Sequence, residues 1–125
     1  MKKIVILFIS FLFISCFGLF DNRTREISNG YKLIWIDLPQ QNRFIENKNN
    51  EVVINSHVYS AGFDENYILA KQHPKINTNQ VDKKKTNYFV IQLKKEATIG
   101  PIDSISFYNF IKLNKLEHIS FSLTD

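Results

Sequence analysis

Cys16, the only cysteine of the chain, is the residue whose type and position suggest a specific chemical modification. It directly follows Ser15 and comes after an apolar run from Ile4 to Ile14 that is preceded by two lysines. A cationic start, an apolar segment of about 7 to 15 residues and a small residue before the cleavage point are typical of an export signal. We therefore predict cleavage before Cys16 and attachment of two or three acyl chains, since one chain alone binds a membrane only marginally.

The alternative is that this segment stays uncleaved as a short membrane anchor. A transmembrane helix needs about 20 apolar residues, and extending the apolar run through Ser15, Cys16 and Gly18 as far as Phe20 gives 17 residues. Both interpretations place the protein on the exported face of a cell membrane or outer membrane. Its predicted partner there is the membrane itself, through acyl chains on Cys16, with another envelope protein as a second candidate.

The predicted domains are a lipoprotein signal peptide (residues 1–15), the lipidated cysteine with a tether (16–29) and one globular domain (30–125). The 125-residue chain without its first 15 residues leaves 110, which is typical of a single domain. Two lysines leave with the signal, so the formal charge falls from +4 to +2. A charge this small, without a basic stripe, argues against a nucleic-acid partner.

Catalytic and metal-binding patterns are missing from the sequence. No thiol remains for a disulfide or a metal once Cys16 is acylated, and the three histidines, His57, His73 and His118, lie too far apart for a close pair on one helix. The adjacent carboxylates Asp64 and Glu65 would suit acid–base work if their pKa values were split, but a hairpin turn explains them better. We predict no catalytic residue, no metal site, no cofactor and no enzymatic activity.

Two sets of residues are candidates for binding. A lysine run, with Lys94 and Lys95 beyond the next strand, is predicted to gather cations at one end of the sheet and to meet anionic headgroups or an acidic partner, unless it is simply a solvated loop. Three aromatic side chains would line a ligand pocket, or else belong to the core. These candidate residues are Lys83, Lys84, Lys85, Trp35, Tyr59 and Tyr67.

The elements that must position these residues are mostly strands. Runs of β-branched and aromatic residues bounded by turn residues predict strands, and the segment 104–115 has near-helical apolar spacing with Asp103 or Ser104 as N-cap. Phe44 and Ile45 are predicted as an edge strand or a core plug, 75–86 as a mobile loop and 94–100 as a turn. The predicted fold is α+β, an antiparallel sheet of five or six strands with one C-terminal helix packed on it; the strands are 31–38, 51–54, 57–63, 67–72, 87–93 and 118–123.

Four separated motifs resemble those of a family of small bacterial lipoproteins with a domain of unknown function. The resemblance runs from about Gly30 to Leu116. It implies a lipoprotein and supplies no activity. The motifs are Gly30-Tyr31-Lys32-Leu33, then Asp64 to Gln72 (DENYILAKQ), Tyr88-Phe89-Val90-Ile91, and Gly100-Pro101 before an aromatic-rich segment.

Two functions follow as hypotheses. The first is a non-enzymatic interaction module of the cell envelope, held by its lipid and presenting a sheet edge or the lysine run to a partner. The second is a small-ligand-binding domain or an inhibitor of the immunity type, which requires a concave aromatic pocket. An enzyme comes third, and clustered polar groups with perturbed pKa values would be its sign.

Overall fold

The computed structural model describes residues 22–36, 42–78 and 80–124. The predicted signal peptide and Cys16 lie outside these ranges, as does the predicted end of the first strand at Leu38. Within the ranges, no helix has the length and apolar character that a membrane span requires.

The first sheet has four antiparallel strands in the order β1-β2-β3-β4. β1 forms one edge of this sheet. The strands are β1 (Asn22–Ser28), β2 (Tyr31–Ile36), β3 (Asn42–Glu46) and β4 (Val52–Ile54).

The second sheet is also antiparallel, in the order β10-β9-β6-β5-β11, and carries the helix α1, Ser104–Leu113. A two-stranded hairpin, β7 (Lys75–Asn77) with β8 (Gln80–Val81), leaves the end of β6. The predicted α+β class with a five-stranded sheet and one C-terminal helix is confirmed. The strands are β5 (Val58–Phe63), β6 (Tyr67–Gln72), β9 (Asn87–Gln92), β10 (Ala97–Ile102) and β11 (Leu123–Thr124).

The second sheet is the middle layer of three, because its strands are apolar on both faces. Ile68 and Ala70 belong to the core shared with the first sheet, which includes Leu33. Leu69, between them, belongs to the core under α1, together with Phe107. Successive strand residues point to opposite faces, so the continuous apolar run of β6 is what a strand covered on both sides requires.

The helix begins and ends at identifiable caps. The Asp103 carboxylate accepts a hydrogen bond from the Ser106 backbone N–H at 2.8 Å, which confirms the predicted N-cap. The Asn114 side chain donates to the Phe110 carbonyl at 2.9 Å, and Lys115 has a positive φ of 55°. The helix therefore ends at Leu113, two residues before the predicted end.

Part of the predicted tether is a strand. Residues 22–28, within the segment 16–29, form β1 and pair with β2. The polar composition was misleading because an edge strand needs only backbone hydrogen bonds and one apolar anchor, and Ile27 is buried in the core. The folded part of the chain therefore includes residues 22–28, which were predicted as tether.

Four other local predictions are wrong or incomplete. The predicted loop 75–86 contains the β7–β8 hairpin, and the predicted turn 94–100 gives way at Ala97 to β10, an edge strand where Pro101 is tolerated. Phe44 and Ile45 lie in β3, which is an interior strand. The predicted strand 118–123 is mostly irregular, and only Leu123 of it pairs, with Ala61.

Candidate functional site

The distal end of the sandwich is defined here as the end where β1 finishes. Ser28, the last residue of β1, lines one cleft together with the β5–β6 turn. Lys48, in the β3–β4 turn, forms an ion pair with Glu96, in the β9–β10 turn. Turns of both sheets therefore meet at the distal end.

The proximal end is defined as the opposite end, where β1 begins. Asn55 and Ser56, which follow β4, line a cleft with Gln72 at the end of β6 and Asn87 at the start of β9. The Gln72 side chain donates to the Asn55 carbonyl at 2.8 Å, and Asn87 donates to the Gln72 side-chain oxygen at 3.2 Å. The first bond joins β6 of the second sheet to the segment that follows β4 of the first sheet, and the second bond joins β6 to β9 within the second sheet.

The lysine turn, Lys83 to Lys85, lies at the proximal end because it immediately precedes β9. All three lysines are exposed. The turn is ordered by Asp82, whose carboxylate accepts from the Lys84 N–H at 3.0 Å, and by His73, whose Nδ1 donates to the Lys85 carbonyl at 2.9 Å. The predicted mobile loop is thus a fixed turn in this part.

Lys94 and Lys95 do not join the lysine turn. They follow β9, whereas the lysine turn precedes it, and six residues of strand span about 20 Å. The prediction that these cations gather at one end of the sheet is therefore wrong, because a single strand reverses their position. Lys94 and Lys95 lie at the distal end, next to Glu96.

The three candidate aromatic residues occupy separate places. Trp35 packs partly buried against the core, with the Arg43 guanidinium 5.5 Å from its ring centre. Tyr59 stacks on His73 at 4.0 Å between ring centres, and its hydroxyl bonds with Thr86 at 2.9 Å.

Tyr67, the third, meets the Phe110 ring edge-on at 5.8 Å under α1. Because Tyr59 lies at the start of β5 and Tyr67 at the start of β6, the hairpin separates them. The structure does not bring Trp35, Tyr59 and Tyr67 into one pocket.

The outer face of α1 is the largest departure from an ordinary surface. Ile105, Tyr108 and Leu113 are 72%, 49% and 83% exposed, while Phe107 and Ile111 fill the buried face. A surface helix usually carries its apolar residues on one side only. The signal was in the sequence, since six large apolar residues in ten positions are too many for one face.

The outer face also carries positive charge. Lys112 lies on it and Lys115 follows the helix, both exposed. The first turn of α1 contains no acidic residue. An apolar surface with cations at one end suits a partner that is apolar in the centre and acidic at its edge.

The cleft at the distal end has a volume of about 560 Å³. It contains the ion pair between His118 and Asp64, the one pair between a histidine and a carboxylate that we find among the described residues. Partial burial opposes ionisation of Asp64, but hydrogen bonds from the Asn66 and Tyr67 N–H groups and from His118 outweigh it and hold the pKa of Asp64 below its usual range. This pair was not predictable from the sequence, because Asp64 and His118 are far apart along the chain. Across the described ranges, no three His, Cys, Asp or Glu side chains are grouped as metal ligands.

Comparison with known proteins places the chain in a family. A family model with the description "Protein of unknown function (DUF3997)" matches residues 28–123, and the chain belongs to this family. No curated protein and no solved structure matches it. The family range begins inside β1 and ends in β11, so it covers both sheets and the helix.

Proposed function

We propose that this member of the DUF3997 family is a non-enzymatic binding module, held at the cell envelope by acyl chains on Cys16, that binds another envelope protein through the outer face of α1. The observation that carries the proposal is the exposure of Ile105, Tyr108 and Leu113 on one helix face. Exposed contiguous apolar patches commonly mark interaction sites. The cations at the end of α1 add a preference for an acidic rim on the partner.

The helix face is suited to binding because α1 is anchored to the second sheet by its opposite side. Phe107 is fully buried on the opposite side, and the Tyr88 and Tyr108 rings pack edge-on at 5.9 Å. A helix that is already anchored does not have to be ordered on binding, which reduces the cost of association. Aromatic residues such as Tyr108 are also enriched among residues that dominate interface energies.

A photo-crosslinking amino acid at position 113 tests the protein contact in intact cells. We expect one covalent adduct of defined mass from position 113 and from position 105. Val52 is the matched control, since it is an apolar residue, half exposed, on β4. An adduct pattern at position 113 that is identical to the pattern at position 52 would contradict the proposal.

The lipid anchor is tested separately by labelling with radioactive palmitate. We expect label in the wild-type chain and none in the Cys16→Ser variant. Equal labelling of the two would exclude acylation at Cys16, and the crosslinking result would then stand alone.

A small-ligand-binding or inhibitor domain is the second candidate, and the distal cleft favours it. Its volume of about 560 Å³ is within the common range for small-molecule sites, about 300 to 1,000 Å³. Asp64, Glu65 and His118 give it a polar lining, beside the half-exposed ring of Phe63. A ligand found for the wild-type protein that binds the Glu65→Gln variant equally well would argue against this cleft.

A further inference from the structure

We infer that the proximal end docks on an anionic lipid surface through the lysine turn, Lys83 to Lys85. This inference rests on the proposed anchor at Cys16 and adds an orientation to it: the proximal end faces the membrane, and the distal end faces away.

The chain between the acylated Cys16 and the folded domain is short. Six residue steps separate Cys16 from Asn22, where β1 begins, and an extended chain covers about 20 Å in that distance. A domain of this size is itself about 35 Å across, from a radius of gyration of about 13 Å. The start of β1, and with it the proximal end, is therefore kept close to the bilayer.

The proximal end carries several exposed lysines. The three exposed lysines of the turn are joined there by exposed Lys75 at the start of β7. Among the described residues, two acidic side chains lie at this end: Asp82, next to the turn, accepts from the Lys84 backbone, and Asp103, which follows β10, accepts from the Ser106 backbone. The four exposed lysines outnumber these two carboxylates, so the described part of the proximal end carries more cations than anions.

Two of the three arginines, Arg23 and Arg43, lie near this end of the first sheet, and Arg43 is buried. Arg23 and Arg43 are the register partners of Trp35 on either side, and Arg25 is the partner of Leu33. The row of Arg23, Trp35 and Arg43 lies one residue from the ends of its three strands. Arg25 is exposed but lies at the middle of β1, between the two ends.

The distal end has a different balance. Lys94, Lys95 and Lys48 are exposed there. Acidic side chains accompany them, among which Glu96 pairs with Lys48; the others are Glu51, Asp64 and Glu65. Cations and anions are mixed at the distal end, so an anionic surface attracts the proximal end more strongly.

The lysine turn is preorganised by contacts with neighbouring side chains. His73 stacks on Tyr59 and bonds to the Lys85 carbonyl, while the Tyr59 hydroxyl bonds to Thr86. These contacts fix the backbone at the C-terminal end of the turn, the Asp82 carboxylate holds its start through the Lys84 N–H, and the lysine side chains stay exposed. Because the backbone is already ordered, docking costs only side-chain freedom.

The test measures how fast lysines react with an acetylating reagent in the acylated full-length protein, reconstituted on phosphatidylcholine vesicles with or without phosphatidylglycerol. We expect acetylation of Lys83, Lys84 and Lys85 to be about fivefold slower on the anionic vesicles, the factor that corresponds to a basic residue held at an anionic surface. Lys94 and Lys95 are the matched control in the same molecule, and their rates should not change. High salt should remove the difference.

Two outcomes would overturn the inference: equal rates for the lysine turn on both vesicles, or protection of Lys94 and Lys95 instead. The variant Lys83→Gln/Lys84→Gln/Lys85→Gln provides a second measurement, since it should lose salt-sensitive protection of Lys75, whereas Lys94→Gln/Lys95→Gln should retain it. Flotation with the neutral vesicles reports the anchor alone. A protein that floats but shows no protection contradicts docking, and one that does not float contradicts the anchor.

Discussion

Asp64 accepts a hydrogen bond from His118 at 2.9 Å across 54 residues of sequence. The bond joins the β5–β6 turn to the segment that follows α1. The same carboxylate accepts from the Asn66 and Tyr67 N–H groups, each at 2.8 Å. The Asp64 side chain therefore orders the β5–β6 turn and also binds the segment after α1 that passes over this turn.

Replacing Asp64 by Asn should destabilise the protein by about 1 to 2 kcal/mol at neutral pH, because charge-assisted hydrogen bonds are lost. The pKa of Asp64 is lower in the folded state than its usual value. Its contribution is then present above the unfolded pKa of about 4 and is lost as the pH falls through the folded pKa. Urea unfolding of both proteins between neutral and acidic pH checks this, and Glu65→Gln is the control for a neighbouring exposed carboxylate. A difference that grows on acidification would contradict the prediction.

Gly62→Ala should destabilise the protein by about 2 kcal/mol, the middle of the range for overpacking. A Cβ at Gly62 would collide with the backbone carbonyl of Ser120, since the chain after α1 passes directly over β5. Thr98→Ala, at an exposed strand position, is the control and should change stability by less than about 0.5 kcal/mol. Thermal unfolding of the wild-type protein and the two variants checks this prediction. An unchanged melting temperature for Gly62→Ala would contradict the close approach of Gly62 to Ser120.

The hairpin β5–β6, the strand β9 and the helix were predictable because their signals are local. Asp64 to Asn66 mark the turn, and Asp103 marks the start of α1. Each of these segments also carries enough apolar residues to bury a face. Period, turn chemistry and capping therefore agreed with the tertiary structure.

The first sheet was not predicted as a separate layer, for a physical reason. Among the side chains whose burial is described, β1 has one buried residue, Ile27, and β4 has one, Ile54, so neither shows the alternation of a strand that packs along its length. Such strands form because a neighbour supplies backbone partners. That neighbour is known only once the fold is known.

The candidate surfaces, too, could be predicted only in part from the sequence. The lysine turn was visible in the sequence, but its separation from Lys94 and Lys95 depends on the direction of β9. The apolar outer face of α1 was countable in the sequence, yet which side faces the sheet depends on Phe107 and Ile111. Sequence therefore identified the residue types, and only the fold assigned them to surfaces.

The two faces of α1 should respond differently to truncation. Phe107→Ala should cost about 3 to 5 kcal/mol, as is usual for a buried aromatic ring. Leu113→Ala, by contrast, should change stability by less than about 0.5 kcal/mol because its side chain is exposed. Denaturant unfolding measures both. A large loss for Leu113→Ala would mean that the outer face serves the fold rather than a partner.

Membrane docking should depend on the length of chain between Cys16 and Asn22. Ten Gly and Ser residues inserted directly before Asn22 would raise the reach of the tether from about 20 Å to about 55 Å, which lowers the effective concentration of the lysine turn at the surface. Flotation with vesicles should remain complete, since the acyl chains are unchanged. Acetylation of Lys83, Lys84 and Lys85 on anionic vesicles should become faster, and the rates of Lys94 and Lys95 should stay the same.

The control is an insertion of the same ten residues after Asn49, in the exposed turn at the distal end, which leaves the tether intact. Equal protection of the lysine turn with the short and the long tether would show that tether length does not control docking.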